Sequence, residues 1–289
     1  MTATLTEQIT VPGVYDIPAD VYHADPVPGG SLSASGARLL LPPNCPARYR
    51  YDQDHPVDPK AAWDFGSAAH KMLLGVGADV VRVDAGDWRT KVAREARDQA
   101  HAEGKVPLLA EDYEKAEAMA AALRDHPVAG GLFDPTRGRA EQSLIWYDGE
   151  HRIWRRALLD WLPDAGPTRI ILPDYKTTRC AEPGQLQKTI VDYGYHQQAA
   201  WYLDGAMALN LSFDAAFLFV FQEKAPPYLV TVAEPNAMSI AIGRDLNRQA
   251  ISLYRSCVEA GRWPGYSDGI ELIPPPYWVE NAYIRELQS

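Results

Sequence analysis

Long apolar runs are missing from this sequence, as are paired cysteines, clustered lysines and arginines, and any Pro/Gly/Ser-rich linker. No uninterrupted apolar stretch approaches the roughly 18 residues of a membrane-spanning helix, so no membrane partner is expected. The three cysteines, Cys45, Cys180 and Cys257, are odd in number and widely spaced. They match neither a disulfide framework nor the paired ligands of a zinc site. Met1 to Thr10 is polar and lacks the basic start and apolar stretch of a secretory signal, so a cytoplasmic location is the expectation. Internal repeats are absent as well. With 289 residues, 46% of them hydrophobic, the chain has material for one large core. No break in composition divides it. A flexible segment over 1–12 followed by a single domain over 13–289 is therefore expected.

The formal net charge is -10, with no long basic run to meet a phosphate backbone. This weighs against a protein that only binds nucleic acid. It weighs less against a metal-dependent enzyme, whose site is itself acidic and whose bound divalent ion reverses the local sign.

Periodicity predicts helices over Ala34–Leu41, Phe65–Val76, Thr90–Ala102 and Ala110–Arg124, the first behind a serine suited to an N-cap and stopped by Pro42-Pro43. Strands are predicted over Gln142–Tyr147, Arg152–Leu159 and Arg169–Tyr175, with Asp148-Gly149 as a hairpin turn. A helix over Tyr195–Leu209, strands over Ala215–Phe221 and Tyr228–Val232, and a long helix over about Pro235–Ala260 follow. The tail around Ile273–Trp278 reads as irregular. This order predicts an α/β (α+β) protein with a central mixed sheet flanked by helices.

The segment richest in chemistry is Ile170 to Thr178, an apolar strand ending in Asp174-Tyr175-Lys176. Residues two apart on a strand share a face, so Asp174 and Lys176 project together. The carboxylate can hold a metal ion, and the lysine can orient a water or offset charge on a phosphate. One carboxylate is too few, and Asp160 closes the preceding strand after an apolar stretch where an unpaired aspartate would be costly. Glu141 is a possible third acid, and His70, on one helix face with Gly66, can supply a nitrogen ligand or handle a proton. This donor set suits Mg²⁺, or Mn²⁺ with the histidine. Taken singly, Asp174 and Lys176 also fit a strand-end ion pair, Asp160 a turn, His70 a helix histidine and Glu141 a polar residue after a loop. Their ordered combination favours the metal site.

Tyr195, Gln198 and Tyr202 share one face of the following helix and can bond phosphate oxygens or stack on a base. Packing of the tyrosines on the sheet is the alternative. Arg48, Arg50, Arg155 and Arg156 are candidates for backbone contacts. Glu223, at the end of the fourth strand, is a further acidic candidate, with a solvated turn as the alternative.

Together these residues resemble the RecB-like clade of the PD-(D/E)xK (restriction-endonuclease-like) nuclease superfamily, and within it the RecE-type exonucleases, also called exodeoxyribonuclease VIII, from about Gly13 to Trp278. Gly13-Val14-Tyr15 and Tyr22-His23 are similar to that family's opening. Ser31 to Ser35 with Cys45-Pro46-Ala47-Arg48-Tyr49 is similar to its first helix. Gly66 to His70 matches GxxxH, Glu141, Asp160 and Asp174 to Thr178 match the acidic and lysine positions, and Gln198 to Tyr202 matches QxxxY. The resemblance implies a two-metal phosphodiesterase, with Asp160, Asp174 and the Tyr175 carbonyl holding metal, His70 and Glu141 assisting, and Lys176 positioning or activating water. It implies degradation of one strand from an end of double-stranded DNA, 5′ to 3′, leaving 3′ overhangs for phage-type recombination. It also implies a ring-shaped homo-oligomer and a RecT-like single-strand annealing partner. Some RecB-like relatives carry an iron–sulfur cluster on four cysteines. That set is incomplete here, so no cluster is expected, and Cys45 is read as a small buried residue. The alternatives are an endonuclease or a 3′-to-5′ nuclease on the same fold, and a non-catalytic module that binds DNA ends.

Overall fold

The computed structural model describes residues 8–55, 65–164 and 169–288. Residues 1–7 of the expected flexible segment lie outside this description. Ile9 does not behave as part of a loose tail. It is buried against Val27 and Ile145, and its N–H donates to the Pro26 carbonyl at 3.0 Å.

The first half of the chain runs β1 (Gly13–Tyr15), α1 (Ala19–His23), β2 (Ser31–Ser33), α2 (Ala34–Leu40), α3 (Pro46–Asp54), α4 (Phe65–Leu74), β3 (Val80–Val83), α5 (Lys91–Ala102), β4 (Val106–Leu109), α6 (Ala110–Asp125) and α7 (Ala129–Leu132). The second half runs β5 (Gly138–Asp148), β6 (Ile153–Pro163), β7 (Ile170–Thr178), α8 (Pro183–Asp192), α9 (Tyr195–Ala208), β8 (Ala215–Glu223), β9 (Val230–Ala233), α10 (Ala237–Ala260) and α11 (Tyr277–Leu287). Helix starts follow local chemistry. The side chains of Ser33, Thr90, Glu182 and Asn236 each accept from a backbone N–H two or three residues into the helix they open.

The central sheet is mixed. One ladder has the order β1-β5-β6-β2, antiparallel except for β2 beside β6, and the other has β7-β8-β9, with β7 and β8 parallel. A small parallel pair, β3 and β4, stands apart. The two large ladders meet where β7 packs beside β6. At that seam the Tyr175 N–H is satisfied by the Asp160 carboxylate, at 2.7 Å.

Both faces of the sheet are covered, and β8 shows how. Phe217, Phe219 and Phe221 pack with α9 residues Ala199, Trp201 and Tyr202 in the main core, whereas Val220 points the other way to Met119 and Leu123 of α6. That is the period-two alternation of a strand buried on both sides. Outside this layer α10 crosses α9 closely: a Cβ on Gly243 would stand 2.2 Å from the His196 carbonyl oxygen. Among the described residues no helix is long and apolar enough to cross a membrane.

Several expectations are corrected. Ser31–Ser33 is a strand paired with Trp154–Arg156, and beyond the expected stop at Pro42-Pro43 a further helix, α3, forms that the periodicity does not predict. β6 and β7 continue past Asp160 and Lys176, because the polar segment Lys176–Thr178 still pairs with Phe221–Glu223. The tail is not wholly irregular, since Tyr277 and Trp278 open α11. No residue of α11 is buried, and Ile270, Leu272, Ile273, Tyr277 and Trp278 are all exposed.

Candidate active site

The site forms at the β6–β7 seam. β6 contributes Asp160, its antiparallel neighbour β5 contributes Glu141, and β7 contributes Asp174, Tyr175 and Lys176. α4 brings His70 from one side of the sheet and α9 brings Gln198 from the other. The His70 Nε2 stands 3.2 Å from Asp160 Oδ2, and its Nδ1 stands 3.7 Å from Glu141 Oε1. The imidazole thus bridges two carboxylates on neighbouring strands.

Asp174 is 1% exposed. Its Oδ2 pairs with Lys176 Nζ at 2.5 Å, and its Oδ1 accepts from Gln198 Nε2 at 2.8 Å. Placing Asp174 and Lys176 two apart on a strand therefore brings them together as expected. Tyr175, between them, points to the opposite face, where its hydroxyl donates to Gln222 Oε1 at 2.7 Å. Gln222 was not anticipated from sequence, although a glutamine ending the apolar run Phe217–Phe221 is a visible signal. It is fully buried, also donates to the Met119 carbonyl at 2.8 Å, and so anchors the residue between the two catalytic candidates.

The electrostatics are those of crowded buried acids. Burial, reinforced by the Asp160 charge, pushes the Asp174 carboxyl up to about 6 despite Lys176. Burial and then Asp160 raise Glu141 as well, against His70 and Lys71. For Asp160 burial pushes upward, but His70, Lys176 and the Tyr175 N–H outweigh it, and the carboxyl is held below its usual range. Burial would lower His70, yet Asp160 and Glu141 prevail and raise it. Lys176 is likewise raised by Asp174 and Asp160 against the effect of burial, and it is held as a cation. A strained backbone sits at the centre of this cluster: Glu141 has φ +48, a left-handed conformation unusual for a residue with a side chain.

Among the described residues, no three His, Cys, Asp or Glu side chains stand ready as a complete metal cage. The donor set still fits a hard divalent cation. Mg²⁺ is commonly held by one or two carboxylates and keeps several waters. Asp174 is buried, Asp160 is partly buried, and the two repel each other, while Asp174 Oδ2 has its ion pair with Lys176 but no hydrogen-bond donor of good geometry. Asp160, Asp174 and the Tyr175 carbonyl would hold the ion, with Glu141 and His70 beside them.

Other candidates fall elsewhere. Arg155 and Arg156 are buried, so neither offers a free guanidinium to DNA. Arg155 lies over the rings of Trp201 and Trp146, 3.9 and 4.9 Å from their centroids, and pairs with Asp148 at 3.3 Å. Arg156 pairs with Asp25 at 2.7 Å and donates to Ser31. The sheet's alternating pattern claims both side chains for the interior. Tyr202 is buried edge-on against Phe217, which fits the packing alternative. Tyr195 is half-buried, with Lys176 Nζ 5.3 Å from its ring centroid. Arg48 and Arg50 are exposed on α3, where Arg50 pairs with Asp54. Glu223 accepts from the Ala181 N–H at 2.8 Å and braces the loop after β7. Cys45 and Cys257 are buried thiols, and Cys180 is partly buried.

No curated protein matches the sequence. Among solved structures, the crystal structure of "Putative exonuclease" from Eubacterium rectale superposes with a TM-score of 0.60 at 10% identity, covering 92% of this chain and 98% of that one. At that identity the likeness is one of fold. The family model for the PDDEXK-like domain of unknown function (DUF3799) matches residues 33–275, a span that contains every residue of the site just described. The chain belongs to that PDDEXK-like family.

Proposed function

We propose that the chain is a metal-dependent deoxyribonuclease that degrades linear duplex DNA from an end. The observation that carries this reading is the buried Asp174, paired with Lys176 and lying beside Asp160 across the β6–β7 seam. Binding DNA alone gives no reason to bury Asp174 beside a second carboxylate that repels it. A divalent cation held there would supply Lewis acidity to the phosphodiester and the attacking water. Asp160 and Asp174 would hold it, and Gln198 fixes Asp174 through Oδ1. Lys176, paired with Asp174, is placed to offset charge on the phosphate oxygens and to orient or activate the attacking water. His70, between Asp160 and Glu141, is placed to move a proton.

The finer reading is a RecE-type exonuclease acting 5′ to 3′ with two ions. It rests on the ordered motif set from His70 through Tyr202. The test uses linear duplex DNA labelled at either end beside a covalently closed circle, with Mg²⁺ or chelator, and Asp174→Ala as control. Mg²⁺-dependent loss of linear DNA with the circle intact is expected, with the 5′ label released first. Cutting of the circle would replace the exonuclease with an endonuclease, and a folded protein that cuts neither would leave only a DNA-binding module.

A further inference from the structure

The mechanism above leaves unused a group of side chains at the rim of the site. Tyr195 is held from below by Phe219 and Phe221, with ring centroids 5.4 and 6.0 Å away. Tyr193 also stacks on it, with centroids 5.5 Å apart and planes inclined by 17°. Tyr193 is itself 59% exposed. An aromatic column therefore rises from the core, passes Lys176 at the level of Tyr195, and ends in an open ring face.

Arg38 of α2 reaches the same place. Gly194, between the two tyrosines, has φ +67, and a Cβ there would lie 2.6 Å from Arg38 Cδ. The missing side chain is what lets the arginine stem cross the start of α9. The charge of Arg38 is felt at the Tyr195 phenol. Arg38 is exposed and makes no ion pair or side-chain hydrogen bond among the described residues. Tyr195 thus feels both this arginine and Lys176.

We propose that Tyr193 and Arg38 form a nucleotide subsite adjoining the Asp174–Lys176 centre. One base of single-stranded DNA stacks on the open Tyr193 face, and a neighbouring phosphate is held by Arg38. The choice of ligand rests on the nuclease reading. Stacking on tyrosine is tolerant of sequence, and arginine supplies a phosphate contact next to the stacked base. The subsite would hold a separated strand end against the reacting centre.

The test is binding of a short fluorescein-labelled oligothymidylate, followed by anisotropy in chelator so that nothing is cut, together with Mg²⁺-dependent turnover of linear DNA. Tyr193→Ala should weaken binding about tenfold, and Tyr193→Phe should bind like wild type, because the ring rather than the hydroxyl does the holding. Arg38→Ala should also weaken binding and lower the slope of log affinity against log salt by about 0.7. An oligonucleotide with one 2-aminopurine should lose fluorescence on binding wild type and keep it with Tyr193→Ala. If wild type cuts DNA while both alanine variants bind and quench as it does, the subsite is wrong and the nuclease reading stands. If wild type cuts nothing but the variants lose oligonucleotide binding as described, the subsite stands and the nuclease reading falls.

Discussion

Glu141 and Asp160 occupy opposed positions on β5 and β6, at the one step within that ladder where the regular pairing lapses. The cause is local: the Glu141 backbone is left-handed, and its carboxylate turns to His70 rather than continuing the strand pattern. A left-handed conformation costs a residue with a Cβ about 1–2 kcal/mol, a cost that glycine avoids. In an ordinary strand glycine is less stable than alanine by roughly 0.5–1 kcal/mol. Here the order should reverse. Glu141→Gly should unfold at higher urea than Glu141→Ala, by about 1 kcal/mol, while both lose most nuclease activity. Alanine equal to or above glycine would show that the strain is not intrinsic to position 141.

Lys176 and Asp174 should be inseparable in stability. Asp174 is almost fully buried, and its charge is balanced chiefly by the lysine. Lys176→Met should therefore cost about 3 kcal/mol, the scale for stranding one partner of a buried pair. Adding Asp174→Asn should recover most of that loss in a double-mutant cycle. Turnover should fall by about 10²–10³ for Lys176→Met and not return in the double variant. Additive losses in urea melts would mean that the two residues do not depend on each other.

The legible part of this molecule is the part written locally. Asp174 and Lys176 are adjacent by strand geometry alone, and the Asp148-Gly149 turn fixes β5 against β6 from sequence. What sequence does not carry is what distant contacts decide. β1 and β2 are three residues each, too short for any periodicity, and exist because β5 and β6 offer them an edge. Arg155 and Arg156 look like surface cations until Trp201, Trp146, Asp25 and Ser31 are placed around them. The bridge from His70 to Glu141 depends on a backbone conformation that no pattern announces.

Gln198 holds Asp174 Oδ1 at 2.8 Å, so on the proposed mechanism it acts through that carboxylate. Gln198→Leu removes that donor while keeping the volume close. The Mg²⁺ concentration for half-maximal cleavage should rise by about 10–100-fold, the usual scale for a partner that orients a ligand. Stability should change by only about 1 kcal/mol. A loss of maximal rate with unchanged Mg²⁺ dependence would instead give Gln198 a direct contact with DNA.

Arg156 separates a structural cation from a DNA contact. A phosphate contact contributes about 0.9 to the slope of log affinity against log salt, and its removal lowers that slope accordingly. Arg156 instead spends its guanidinium on Asp25 and Ser31, beneath the Tyr22 ring at 5.4 Å. Arg156→Met should leave the salt slope for duplex DNA unchanged and cost about 3 kcal/mol in urea unfolding, because Asp25 loses its cation. Asp25→Asn added to that variant should return part of the stability. A drop of about one in the slope, with the melting curve unmoved, would put Arg156 on the DNA and its buried placement in error.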